Sequence, residues 1–327
     1  MSDRSAIEWT DATWNPITGS SGRWHCTKVS PGCQFCYAER LNTRFGGPKY
    51  NVGADILRLD EKKLEIPLGW RTPRRIFVNS MTDLFHEDIP IEWIARIWNV
   101  MASATVDCGK RHKHEEECWG GPPHTFQILT KRAERMAAVV QELPNYAGDW
   151  FPGDAPICLS MEVGDWPLPN VWLGVSAENQ QYADERVSHL LRTPAAVRGV
   201  SLEPLLGWIN LVPYIGSDGG HPLPRLDWII VGGESGGPAE RALVEVVNSG
   251  HGIRKLEPKL EALAWVRSIR DQCWAAGVPY FFKAWGGPTP KSGGRLLDGR
   301  TWDEMPEPAA MLEAAARRWL EGGGQDK

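Results

Sequence analysis

Three cysteines close together carry the first chemical signal. Cys26, Cys33 and Cys36 lie in HCTKVSPGCQFCYAER, His25 to Arg40, with six residues between the first pair and two between the second. Thiolates are soft ligands that suit zinc or an iron–sulfur cluster. A structural zinc site is closed by four ligands, and His25 offers a fourth here. Three thiolates alone leave one position open, as a reactive cluster requires. Two readings without metal stand beside these: a disulfide with one spare thiol, and three separate core cysteines. The seven cysteines are an odd number, and the polar start MSDRSAIEWT lacks an apolar leader, which argues against the disulfide. A cytoplasmic location is expected on the same ground.

A second group lies in DCGKRHKHEEECWGG, Asp107 to Gly121. Cys108, His112, His114 and Cys118 are nitrogen and sulfur donors at a spacing that zinc tolerates, with His124 close by. The same residues also read as a charged, solvated loop. Cys158 and Cys273 read as structural.

These residues need a scaffold, and the 327-residue chain is 42% hydrophobic, ample for a large core. Its net charge of −5 and lack of a basic tail give no indication of non-specific nucleic-acid binding through global charge. A local basic groove stays open, with Arg40, Arg44, Arg71, Arg74 and Arg75 as candidate phosphate contacts. No apolar run reaches the length of a membrane span.

Short apolar runs alternate with helical patterns. Strands are expected near Trp14 to Thr18, then at Arg75 to Asn79, Thr125 to Leu129, Val171 to Val175, Arg198 to Leu202, Leu226 to Val231 and Pro279 to Lys283. Helices are expected over Tyr37 to Phe45, Ile91 to Ser103, Arg132 to Leu143, Asn179 to Arg192, Pro258 to Ala276 and Glu307 to Leu320. Ile56 to Trp70 reads as a surface excursion. Continuous rather than alternating apolar strands mean a parallel sheet with crossover helices. The expected fold is α/β: a TIM-like (β/α) barrel, incomplete or whole, with a doubly wound sheet as the alternative. The barrel is expected over residues 1–290, including a Cys/His-rich insertion at 107–124, with a C-terminal extension over 291–327.

In a parallel barrel the functional face lies at the C-terminal strand ends. There the sequence places Asn79, Ser80, Thr82, Asp83 and His86; Thr130, Lys131 and Arg132; Ser176, Glu178 and Asn179; Glu203; Glu234 and Ser235; and Lys283 with Trp285. Each alone reads as a helix cap or a solvated loop residue. Together, beside a thiol loop, they suit the amine, carboxylate and hydroxyls of a small cofactor.

A cysteine triad after the first barrel strand, with Phe35 just before the last cysteine, resembles the radical S-adenosylmethionine superfamily. The resemblance implies a 4Fe–4S cluster on Cys26, Cys33 and Cys36 and S-adenosylmethionine as cofactor. The six-residue first gap departs from the usual CxxxCxxC spacing. Over most of the chain, WTDATWNPITG, CTKVSPGCQFCYAERL, RIFVNSMTDLFHE, TFQILTKR, VWLGVSAENQQYADER, SLEPLLG, DWIIVGGESG and RDQCWAAGVPYFFKAWG resemble a phage-type three-cysteine-motif family of unknown function (phage Gp37/Gp68-like). NSMTD, ILTK and GVSAEN resemble strand-end motifs of the branch that includes DNA photoproduct lyases, which implies Thr82, Asp83, Lys131, Ser176 and Glu178 near the cofactor. Members of the phage-type family tend to sit beside a separate partner protein, which implies a two-component system. The expected function is radical chemistry on an unassigned substrate, with a nucleotide or nucleic-acid base as the guess. The alternative is a non-catalytic zinc module that docks a partner protein or nucleic acid. A barrel-type zinc hydrolase ranks last, for want of a His-x-His pair at a strand end.

Overall fold

The computed structural model describes residues 5–51, 57–104, 124–146, 166–216, 225–248 and 254–306. Seven strands form one sheet: β1 (Ala12–Trp14), β4 (Arg75–Val78), β5 (Thr125–Thr130), β6 (Val171–Ser176), β7 (Val197–Leu202), β8 (Trp228–Gly232) and β11 (Tyr280–Ala284). They lie in that spatial order, and every neighbouring pair is parallel. Between them run α3 (Ile91–Ser103), α4 (Ala133–Glu142), α5 (Gln180–Arg192) and α7 (Leu260–Ala276). Parallel strands need such crossovers, and their apolar runs are buried on both faces.

One face of the sheet packs on the helices. Ile76, Val78, Phe126, Ile128, Leu173, Val175, Val200, Val231 and Phe282 join Ile94, Trp98, Met136, Val187 and Val266 in the main core. The other face holds a smaller cluster of Trp9, Phe77, Trp172, Val197, Trp228, Ile230 and Phe281. Trp9 shows that the sheet curls. Its ring centroid lies 4.8 Å from Phe77 on β4 and 6.0 Å from Trp228 on β8. Those strands are four steps apart in the sheet, about 19 Å if it were flat. The result is a partial barrel floored by aromatic rings. The free edge of β11 is covered by the chain after it: Asp303 bridges Phe281, and Phe282 donates its N–H to Trp302 O at 2.8 Å.

The first strand differs from the expected Trp14 to Thr18. β1 stops at Trp14, and β2 (Ile17–Gly19) leaves to pair antiparallel with β3 (Leu57–Leu59). Pro16 has no N–H to continue a ladder, and Asn15 Oδ1 accepts the Met81 N–H at 3.0 Å. The stretch expected as a surface excursion is, from Leu57 on, partly core. Leu57 and Leu64, at the end of α2 (Glu61–Leu64), are buried in the main core, and Trp14 Nε1 donates to Lys63 O at 2.7 Å. α7 stops at Gly277, whose φ of 63° is left-handed and favours glycine. A charged antiparallel ribbon, β9 (Val244–Asn248) with β10 (Arg254–Pro258), stands between β8 and α7. The sequence did not announce it. The insertion residues Cys108, His112, His114 and Cys118, Cys158, and the helix expected over Glu307 to Leu320 lie outside the described residues.

The curl makes a stability prediction. Trp9→Ala should cost about 3–5 kcal/mol in urea denaturation. Trp274→Ala, at a side chain 84% exposed, should move stability by no more than about 0.5 kcal/mol. Equal losses at both sites would contradict a floor centred on Trp9.

Candidate functional site at the mouth of the partial barrel

The polar residues collect where the inner face leaves the aromatic floor. Going up β6 and β7, Trp172 and Val197 give way to Gly174 and Gly199, then to the paired Ser176 and Ser201. Four acidic side chains stand at or near the rim, and each meets a cation.

Asp83 is the most constrained. It accepts from Thr130 Oγ1 at 2.7 Å, Phe85 N at 3.0 Å, Lys131 N at 3.1 Å and Arg132 Nη1 at 3.1 Å. Glu178 is fully buried and lies 3.2 Å from Arg186 Nη1 and 4.0 Å from Lys131 Nζ. Ser30 Oγ, in the cysteine loop, donates at 2.5 Å to Oε1, the oxygen nearer Lys131. Glu203 takes Lys283 Nζ at 2.9 Å and Ser201 Oγ at 3.0 Å. Burial alone would lower the Lys283 pKa, but the Glu203 carboxylate outweighs it and holds the ammonium above its ordinary value. Glu234 receives a two-pronged bond from Arg241, at 2.8 and 2.9 Å. Such forked pairs fix geometry as well as charge.

Three of these pairs grip the cysteine loop. Arg241 also donates to Pro31 O at 2.9 Å and to Gln34 Oε1 at 3.2 Å, and its guanidinium lies 5.2 Å from the Phe35 ring centre. Arg132 reaches Thr27 through Nη2 and approaches Cys26 Sγ at 3.9 Å. Gly32 must be glycine for the loop to seat: a Cβ there would meet Glu178 Oε1 at 2.2 Å. Burial and Arg132 keep His86 below its ordinary pKa. Its Nδ1 accepts the Asp88 N–H, so Nε2 carries the proton toward Thr27 Oγ1, 2.9 Å away.

The thiols sit inside this frame. Burial pushes Cys26 up to about 12, with Asp83, Cys33 and Cys36 adding to the rise and Arg132 opposing it. Burial likewise raises Cys36, against the pull of the Ala38 and Glu39 N–H groups, and Cys33 adds to it. Among the described residues, no three His, Cys, Asp or Glu side chains form a ready metal cage. The loop presents neighbouring soft donors that a metal would draw together, since binding and ordering of ligands are coupled.

The other expected residues divide by what they touch. Ser80 Oγ donates to Asn15 Oδ1, and Ser80 O accepts from Tyr37 OH at 2.6 Å. Asn179 caps α5, accepting the Tyr182 N–H at 3.2 Å. Ser176 O accepts from Arg186 at 2.6 Å. Thr82 Oγ1 is buried without a partner among the described residues, as are both carboxamide atoms of Asn79 and of Gln127. Asn79 directly follows β4 and has a φ of 53°. Arg186 and Arg241 escaped the sequence reading. Arg186 had a signal, since it falls on the apolar face of α5 with Ala183, Val187 and Leu190. Arg241 follows a glycine-rich turn and had none.

A family model described as "Protein of unknown function (DUF5131)" matches residues 4–306. The chain belongs to that family. No curated protein and no solved structure matches it.

The raised Cys26 pKa is testable by alkylation. In metal-free protein, iodoacetamide labelling of Cys26, followed by peptide mass spectrometry, should keep climbing about tenfold per pH unit from pH 8 to pH 10, since the thiolate alone reacts. An ordinary thiol, with pKa about 8.5, levels off over that range. Levelling at Cys26 would show that it is not desolvated.

Proposed function

We propose that the chain is an iron–sulfur enzyme of the radical S-adenosylmethionine type, acting on a nucleotide or nucleic-acid base. The carrying observation is three thiols on one loop that Arg132 and Arg241 pin at the polar mouth of a parallel partial barrel. Their donor set fits the group: all soft, three in number, with no fourth described cysteine beside them, since Cys273 is buried in α7. Cys26, Cys33 and Cys36 would hold the cluster. Bound there, a 4Fe–4S cluster with an open iron supplies the electron that cleaves S-adenosylmethionine to methionine and a 5′-deoxyadenosyl radical.

The remaining residues take separate roles in this reading. Lys131, on the rim beside Glu178, offers an ammonium to a carboxylate. Thr82 Oγ1 and the Asn79 carboxamide offer unspent hydrogen bonds, and a carboxamide matches the paired donor and acceptor of a base edge. Asp83 and Glu234 are saturated by Arg132 and Arg241, so they position the loop. Phe35 lies under Arg241 and fixes the approach to Cys36. The aromatic floor shields the site from water below.

Anaerobic incubation with iron and sulfide should give a brown protein with about four irons. Adding dithionite and S-adenosylmethionine should yield 5′-deoxyadenosine, and Cys36→Ala should lose both iron and turnover. Tight zinc with no iron uptake and no cofactor cleavage would replace this reading with a zinc module, His25 serving as the fourth ligand.

A further inference from the structure

The first helix carries an outer face that meets the site only at Tyr37, whose OH donates to Ser80 O at 2.6 Å. α1 (Tyr37–Arg44) begins directly after Cys36. Its inner face is Ala38 and Asn42, both buried. Its outer face is a stripe at four-residue spacing: Tyr37 is 44% exposed, Leu41 38% and Phe45 54%. Large apolar side chains in one exposed row point to a partner.

The charge around this row is one-sided. From Ser20 to Tyr50 the only acidic residue is Glu39, against Arg23, Lys28, Arg40, Arg44 and Lys49. Glu39 is spent on Lys28, at 2.7 Å. Arg23, Arg44 and Lys49 are exposed and have no acidic partner among the described residues. Asn42 brings them together. Its Nδ2 donates to Trp24 O at 2.8 Å and to Pro48 O at 2.9 Å, which fastens the chain beside Arg23 and beside Lys49 to the helix. Gly47 seats tightly there, since a Cβ would meet Asn42 Oδ1 at 2.2 Å. In a chain of net charge −5, this is a local polycation interleaved with rings.

Aromatic rings among cations are the physical recipe for a single nucleic-acid strand: bases stack while phosphates pair. A duplex hides its base faces and gains only the charge. Both hydroxyls of α1 are spent, Thr43 Oγ1 on Arg40 O and Tyr37 OH on Ser80 O, so neither donates to a 2′-hydroxyl. We propose that the outer face of α1, with Tyr37, Leu41, Phe45, Arg23, Arg44 and Lys49, holds a single DNA strand and leads it to the mouth. This deepens the nucleic-acid reading given above and rests on it for the fate of the bound base.

The test is fluorescence anisotropy of a labelled mixed-sequence DNA strand with the full-length chain over a salt series. Binding should weaken linearly on a log–log plot. Arg44→Glu with Lys49→Glu should reduce the slope by about 1.4, at about 0.7 per phosphate contact on a single strand. Phe45→Ala should weaken binding about fivefold or more, and Phe45→Tyr should restore it. Lys255→Glu, on the β9–β10 ribbon, should change neither affinity nor slope. No binding at low salt, equal loss from Lys255→Glu, or tighter binding of duplex or of the matching RNA would each overturn the proposal. The assay needs neither cluster nor S-adenosylmethionine. Lost strand binding with intact 5′-deoxyadenosine formation sinks this inference alone, and the reverse sinks the cofactor reading alone.

Discussion

Burying carboxylates at the open end of the sheet is the constraint from which the rest of this structure follows. An isolated buried carboxylate costs several kcal/mol or loses its charge. Asp83, Glu178, Glu203 and Glu234 avoid this by taking Arg132, Arg186, Lys283 and Arg241. Arg132 and Lys283 come from elements distant from Asp83 and Glu203, so those pairs tie two pieces of chain, whereas Arg186 and Arg241 lie close in sequence to their carboxylates. Arg241 ties the turn after β8 to the cysteine loop, and Arg132 ties the start of α4 to Thr27. Removing one partner of such a pair leaves the other charge buried and alone, which is why the arrangement is rigid. The cysteine loop has little regular structure of its own and is held by these ties.

Much of the fold was legible in the sequence. RIFVN, TFQIL and VWLGV read as strands because both their faces are buried, which demands continuous apolar residues. α5 and α7 read well because their apolar positions recur at helical spacing and their ends carry Asn179 and Gly277. The first strand was misplaced because the aromatic run continues through Pro16, where the ladder cannot. The β9–β10 ribbon was missed because Arg254, Lys255 and Glu257 resemble a solvated loop when no partner strand is in view.

The site was legible only in part. Strand-end position pointed to Asp83, Lys131, Glu178, Glu203 and Glu234, and the structure brings all five to one rim. Sequence could not tell a saturated residue from an available one. Asp83 has four donors and Asn179 is a helix cap, whereas both carboxamide atoms of Asn79 stay unspent among the described residues. That difference is made by residues distant in the chain, and no local pattern encodes it. It also separates the groups at the mouth: saturated ones hold the loop, and the Asn79 carboxamide and Thr82 hydroxyl are buried without a partner among the described residues.

The central claim is that three thiols hold a cluster whose fourth iron is open to a small ligand. The most direct measurement is the electron paramagnetic resonance spectrum of the reduced, reconstituted protein, with and without S-adenosylmethionine. A 4Fe–4S signal whose g-values shift when the cofactor is added is the expected result, because ligation at one iron changes. A signal that does not respond, or a protein that carries zinc and gives none, would contradict the account.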